Sequence, residues 1–396
     1  MQSFEFYTPT HIVFGAGTEA QVGSLAAAQG AKHVLVVYGG KSALKSGLID
    51  RVTKSLDDAG IAWETLGGVQ PNPRLSLVRK GIEIAREKGV DLLLGVGGGS
   101  VLDTAKAIAD GAANPQYDVW NDFWLKKVVV PGALPVGAVL TIPAAGSETS
   151  DSAVITNDET KEKRGVNSPF HRPKFAILNP ELTYTLPMFQ LTCGIVDIMM
   201  HTLERYFNPI TTNELSDEFA EGLLRTTIRN GRRAVAHPGD YQAMSELMWC
   251  GSRSHNGLTG LGGKMDFATH QLGHELGAMF DVTHGASLSA TWGSWARYVI
   301  VANPARFAQY AVKVWGLSAE GKDDMTLGLE GIGATEDFFR ELHMPTCLSE
   351  LGVGVLPEET VQELAYRCAF KNTRTIGTFR VLDHNDILKI YQAANH

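Results

Sequence analysis

Residues 91–110 read DLLLGVGGGSVLDTAKAIAD. Leu92 to Val96 is an almost unbroken apolar run, which predicts a strand buried on both faces. Three glycines follow, and then Val101, Leu102, Ala105, Ile108 and Ala109 recur at the spacing of one helix face. A buried strand handing over to a helix through glycines is the repeating unit of a doubly wound parallel sheet. Ser100 is read as the helix N-cap. Gly97, Gly98 and Gly99 permit positive φ and let the backbone approach a ligand closely. The helix start then offers unpaired N–H groups and the positive end of its dipole to a nucleotide diphosphate.

Outward from this stretch the same alternation continues. THIVFG (10–15) and HVLVVYGG (33–40) read as strands, and helical spacing follows over about 18–28, 45–60 and 74–88. Further β-type runs lie at 136–142, 153–156 and 175–178. FGAGTEAQVG (14–23) lacks a glycine three residues after Gly17, so it is read as a turn and not as a dinucleotide fingerprint. In YGGKSALKSG (38–47) the strand ends in Gly39 and Gly40, with Lys41, Ser42 and Lys45 behind them. An acidic residue there would hold a ribose 2′-hydroxyl. Its absence, beside cations and a hydroxyl, favours NADPH over NADH. LTIPAAGSETS (140–150) has small residues and hydroxyls after a β-run, so Thr141, Ser147 and Thr149 are possible cofactor contacts.

Near residue 180 the texture changes: strand-like runs stop and helical periodicity takes over. We place an α/β domain with a mostly parallel sheet at 1–180 and an all-helical domain at 181–396. Two segments of the second domain, GIVDIMMHTLERYF and MDFATHQLGHELGAMFDVTHGA, are read as helical and carry ligand-type side chains four residues apart. Asp197 and His201 form one pair and His270 and His274 the other, with His284 ten residues on. Each pair projects from a single face. One carboxylate with imidazoles suits a divalent cation such as Fe²⁺ or Zn²⁺. Spacing does not say which four of the five bind.

Composition narrows the function. The 396 residues are 44% hydrophobic and 20% charged, with net charge −8, which argues against nucleic-acid or anionic-membrane partners. No apolar run reaches the roughly 18 residues of a membrane helix, and no secretory leader is visible at the start. The four cysteines are scattered without a CxxC, as in a reduced cytoplasmic protein.

GGGSVLDTAKAIA, PAAGSE, GIVDIMMHTLE and FATHQLGHELGAMFDVTHGA together resemble the iron-containing (group III) alcohol dehydrogenase family. Within it, the YGG-S pattern and LTIPA-GSE resemble the butanol dehydrogenase and NADPH-dependent aldehyde reductase branch. The resemblance implies an N-terminal dinucleotide-binding domain, a helical metal-binding domain, a cleft between them and a homodimer. It implies Fe²⁺ or Zn²⁺ on Asp197, His201, His270 and His284, with His274 beside the metal as a proton relay. Gly97, Gly98, Gly99, Ser100 and Asp103 match the positions at the diphosphate and nicotinamide ribose, and Thr141, Ser147 and Lys163 match positions near the cofactor. Gly39, Gly40 and Ser42 match the 2′-phosphate end. Many relatives carry threonines where this chain has Ala144 and Ala145. The implied reaction is hydride transfer between NAD(P)H and an aldehyde or primary alcohol. A dehydroquinate-synthase-like or glycerol-dehydrogenase-like enzyme shares the scaffold, and a metallohydrolase would use the glycine loop only as a turn. The first of these needs a Lys- and Arg-rich metal region, which this chain lacks.

Overall fold

The apolar runs of the first half pair side by side in a computed structural model that describes residues 2–396. Its strands are β1 (His11–Phe14), β2 (His33–Tyr38), β3 (Ala62–Leu66), β4 (Leu92–Gly97), β5 (Val136–Leu140), β6 (Ser152–Asn157), β7 (Glu162–Asn167) and β8 (Phe175–Leu178). Six of them form one parallel sheet in the order β1-β8-β5-β4-β2-β3, and β6 and β7 form an antiparallel pair. The helices between them are α1 (Val22–Ala28), α2 (Ser42–Lys45), α3 (Leu48–Asp58), α4 (Leu75–Lys88) and α5 (Gly99–Ala113).

Side-chain alternation explains the two covering layers. Leu92, Leu94 and Val96 of β4 pack with Val22, Leu48, Val52 and Leu56 from α1 and α3. Leu93 points the other way and packs with Val78, Ile82, Ala105 and Ile108 from α4 and α5. Each fully buried leucine contributes roughly 1.5–3 kcal/mol, so Leu94→Ala costs about 2–5 kcal/mol including the cavity.

The strand order also fixes where the sheet's winding reverses. From β2 the chain moves to β3 at one edge, whereas from β4 it moves through β5 towards the other. The reversal falls between β2 and β4, where Tyr38 pairs with Val96. Open α/β sheets bind ligands at the carboxyl ends of the strands at such a point.

The glycine loop departs from its reading in two details. Gly98, extended at φ −93 and ψ −169, caps α5, and its carbonyl accepts from Val101 N and Leu102 N. Ser100 is therefore inside the first turn and is not the cap. None of Gly97, Gly98 or Gly99 takes a positive φ. What the loop needs is the missing β-carbon: one at Gly97 would lie 2.5 Å from Val101 Cγ2, and one at Gly98 2.5 Å from Ile142 Cγ2.

Residues Tyr7–Leu186 form one compact unit, and Pro187–His396 with the N-terminal segment up to Phe6 forms another. The second is helical: α6 (Met188–Tyr206), α7 (Glu214–Ala236), α8 (Tyr241–His255), α9 (Ala268–Phe280), α10 (His284–Val299), α11 (Pro304–Trp315), α12 (Asp324–Glu341), α13 (Glu358–Cys368) and α14 (His384–Ala394). α6 is its axis, buried from Leu191 to Tyr206 and packed by α7, α8, α9 and α10. Among the described residues no helix is long and apolar enough to cross a membrane.

Candidate active site

In the helical unit, α6 carries Asp197 and His201 one turn apart, and α9 carries His270 and His274. The stretch 265–286, read as one helical segment, is broken. Asp281 takes φ 55 and ends α9, and a new helix, α10, starts at His284. The break lets His284 approach from a third direction. Its neighbour Gly285 touches α6 so closely that a β-carbon there would collide with the Cys193 carbonyl oxygen.

These side chains converge. Asp197 Oδ1 lies 3.3 Å from His201 Nε2, 3.8 Å from His270 Nε2 and 3.8 Å from His284 Nε2. Yet Asp197 Oδ1 and His270 Nε2 are buried without a hydrogen-bond partner. Donors about 2.0–2.2 Å from one tetrahedral cation would be separated by roughly 3.4 Å. The donor set therefore fits a divalent cation: one carboxylate and three imidazoles facing one another, with Asp197 Oδ1 and His270 Nε2 buried and bonded to nothing else. Asp197, His201 and His270 are nearly closed off, and the side chain of His284 is 28% exposed, so the cluster opens on that side. His274 stands beside it, its ring centroid 5.6 Å from that of His284 and 6.3 Å from that of His270.

The electrostatics separate the two buried imidazoles. Burial, together with His255, His270 and Arg205 nearby, holds His201 well below its ordinary pKa, so its ring is neutral. Burial also opposes charge on His270, but the Glu204 carboxylate and Asp197 outweigh it and raise its pKa to about 9. Glu204 grips His270 twice, accepting from its backbone N–H at 3.0 Å and from ring Nδ1. A carboxylate on the far nitrogen orients a ligating histidine and raises its basicity. Sequence reasoning passed over Glu204, although its position three residues after His201 and seven after Asp197 places it on their face.

In the α/β unit the other candidates gather at the carboxyl ends of the strands. Gly39, Gly40 and Ser42 follow β2, Gly97 ends β4 with Gly98–Ser100 behind it, and Thr141 follows β5 with its N–H donating to the Gly97 carbonyl at 3.2 Å. Asp103 and Ser147 are engaged with each other. Ser147 Oγ donates to Asp103 Oδ1 at 2.8 Å, and Asp103 Oδ2 accepts from Val154 N at 3.0 Å. Lys163, on the β6–β7 hairpin, donates to Asn72 Oδ1 at 2.8 Å. Asn72 is itself buried and takes φ 54. Lys106, one turn past Asp103, is fully buried and ties α5 to the 147–152 loop. The four cysteines are free and buried, and burial pushes Cys193 up to about 12 and Cys250 to about 11, so neither offers a thiolate.

Comparison with known proteins accounts for both halves. The sequence model of the family described as iron-containing alcohol dehydrogenase matches residues 9–180, and that of its C-terminal part matches 192–395. The chain is 38% identical over 393 residues to NADH-dependent butanol dehydrogenase A of Clostridium acetobutylicum, covering 99% of each protein. It is also 38% identical over 354 residues to NADPH-dependent aldehyde reductase YqhD of Escherichia coli, covering 89% of this chain and 90% of that one. The crystal structure of NADH-dependent butanol dehydrogenase A from Thermotoga maritima superposes with a TM-score of 0.95 at 38% identity, covering 100% of this chain and 99% of that one. The chain belongs to the iron-containing alcohol dehydrogenase family, in its butanol dehydrogenase branch.

Proposed function

We propose that this protein interconverts aldehydes and primary alcohols at a divalent metal, Fe²⁺ or Zn²⁺, held by Asp197, His201, His270 and His284, and prefers NADPH to NADH. The reaction class, NAD(P)H-linked alcohol dehydrogenase or aldehyde reductase, is that of its family. The observation that carries the site is Asp197 Oδ1, faced by three imidazole nitrogens and bonded to no donor.

A cation bound there supplies a Lewis acid that polarises a carbonyl group, and the nicotinamide supplies the hydride. The chain does the rest. Neutral His201 would present its lone pair directly, and His270, oriented by Glu204, would release its Nε2 proton on ligation. His274 gives a proton to the product oxygen through its imidazole; its place one turn after His270 supports that role. Backbone N–H groups at Gly98–Ser100 receive the diphosphate at the start of α5, with Thr141 and Lys163 nearer the reacting end. Asp103 and Ser147, bonded to each other, brace that loop.

The coenzyme preference rests on the β2 end. Gly39, Gly40, Lys41 and Ser42 bring no carboxylate against a 2′-phosphate. The α/β domain, placed from sequence at 1–180, thus serves the nucleotide and the helical domain, placed at 181–396, the metal, and the family resemblance suggests a homodimer, which light scattering tests. Metal analysis of the purified protein, with absorbance at 340 nm on an aldehyde panel under NADPH and NADH, tests the whole. A metal-loaded protein that oxidises neither coenzyme with any aldehyde, or that hydrolyses esters instead, would sink it.

A further inference from the structure

The imidazoles of the metal cluster differ in how their rings are held. His270 is fixed through Nδ1 by Glu204. His201 has no counterpart of this, because its Nδ1 is buried and without a hydrogen-bond partner. Nothing on that nitrogen stops the ring from turning about its Cβ–Cγ bond.

What His201 has is a neighbour on its face. The His255 ring stacks on it with centroids 4.0 Å apart and planes at 25°. His270 lies 4.3 Å from the same ring at 41°, and Phe267 meets it edge-on at 6.0 Å. The tight donor group comprises Asp197, His201 and His270, so His255 offers a surface and is not one of these donors.

The backbone holds that surface in place. His255 ends α8, and Asn256 Oδ1 then accepts from Leu258 N at 3.1 Å while Gly257 turns the chain at φ 98. The turn rests on α6 one helical step past His201: a β-carbon at Gly260 would lie 3.1 Å from Arg205 Cγ. Arg205 in turn donates from Nη1 to the His201 carbonyl at 2.7 Å. Stacking of this offset kind restrains a ring's plane while leaving its edge nitrogens to other partners.

We infer that His255 is a positioning residue of the metal site. It acts as a stop against the His201 ring, keeping Nε2 aimed at Asp197 Oδ1 and slowing loss of the cation. The sequence around it, SRSHNG, gives no sign of this, since His255 is 54 residues from His201 with no spacing relation to any ligand. The inference rests on the reading of Asp197, His201, His270 and His284 as metal ligands.

The test is zinc release from the loaded full-length protein to excess coloured chelator, for wild type, His255→Ala, His255→Asn and His255→Phe. His255 is only partly buried, so the variants open no core, and thermal melts of the metal-free proteins check this. The Ala and Asn variants should lose zinc about 10–100 times faster, and Phe, which keeps the stacked face, should stay within about threefold of wild type. Release from His255→Ala at the wild-type rate overturns the inference. So does the reverse pattern, with Asn retaining zinc and Phe losing it, which would assign the effect to a hydrogen bond. A wild-type protein that takes up no zinc and no iron overturns the metal reading itself, a result distinct from either.

Discussion

The proposed nucleotide site and the proposed metal cluster are built by opposite means. At the carboxyl ends of β2, β4 and β5 the working surface is backbone, and the decisive property of Gly97 and Gly98 is a β-carbon they lack. On α6, α9 and α10 the working surface is side chain, and the backbone only aims it. The first kind of site fails when an atom is added, the second when one is removed. The two should also fail separately, because no candidate residue of one belongs to the compact unit of the other.

His270→Ala is the severest test. It removes one ligand and takes the ring Nδ1 partner from the fully buried Glu204 carboxylate, leaving it the backbone N–H of residue 270. Lewis-acid stabilisation is worth several kcal/mol, so kcat/KM should fall by about 10³-fold or more, with metal content near zero. NADPH binding, followed by its fluorescence, should persist. A His270→Ala protein with wild-type metal content removes that residue from the ligand set, and one that also loses NADPH breaks the separation.

Gly98→Ala is the mirror experiment. The new methyl would lie 2.5 Å from Ile142 Cγ2, so the loop must shift. Overpacking costs of about 1–3 kcal/mol, if borne by the bound state, translate to a roughly 5- to 150-fold weaker Kd for NADPH. Metal content should not change. Unaltered NADPH affinity would mean that the diphosphate does not lie on this turn.

The two modes of construction also explain what could be read in advance. The glycine run announced a tight strand-to-helix turn, and unbroken apolar runs alternating with helical spacing announced the parallel sheet, because both signals are local. The capping residue could not be read, since Gly98 takes that place through an extended backbone that serine spacing does not reveal. In the metal cluster the i,i+4 pairs were legible because each lies on one helix. The break at Asp281 was not, because a left-handed aspartate ends α9 inside a run that remains apolar and periodic. His255 was beyond reach for another reason: only tertiary packing of α8 on α6 brings it to His201.

Gly39→Asp adds an atom set where the structure has room, so it probes charge without a clash. The nearest heavy atom to a β-carbon there is the Val69 carbonyl oxygen at 3.6 Å. A carboxylate about 5 Å from a dianionic 2′-phosphate costs roughly 1.5 kcal/mol in near-aqueous surroundings. The ratio of kcat/KM for NADPH to that for NADH should fall about tenfold, again with metal content unchanged. An unmoved ratio places the 2′-phosphate elsewhere.

Lys106 blurs the contrast, because it is a side chain holding backbone inside the crevice. Its Nζ donates to the carbonyls of Ser147, Ser150 and Ser152 at 2.7, 3.2 and 2.8 Å and to the Ser147 hydroxyl at 2.8 Å. Lys106→Met leaves those carbonyls without that donor, a cost of about 1–3 kcal/mol, and the loosened loop should raise KM for NADPH several-fold. The pH dependence separates this from simple packing loss. Burial, outweighing Asp103 and other nearby carboxylates, lowers the Lys106 pKa to about 8, against about 10.4 in the unfolded chain. The charged ammonium therefore burdens the fold fully below pH 8. Between the two values the unfolded chain binds the extra proton, so this group makes stability rise with pH by about 1.4 kcal/mol per unit. Methionine has no such term. Urea unfolding at two pH values on either side of the folded value, about 7.5 and 9.5, should show the wild-type advantage over Lys106→Met widening by about 2 kcal/mol. A constant gap would mean that the ammonium is not burdened by its burial, and the loop would then be held by packing alone.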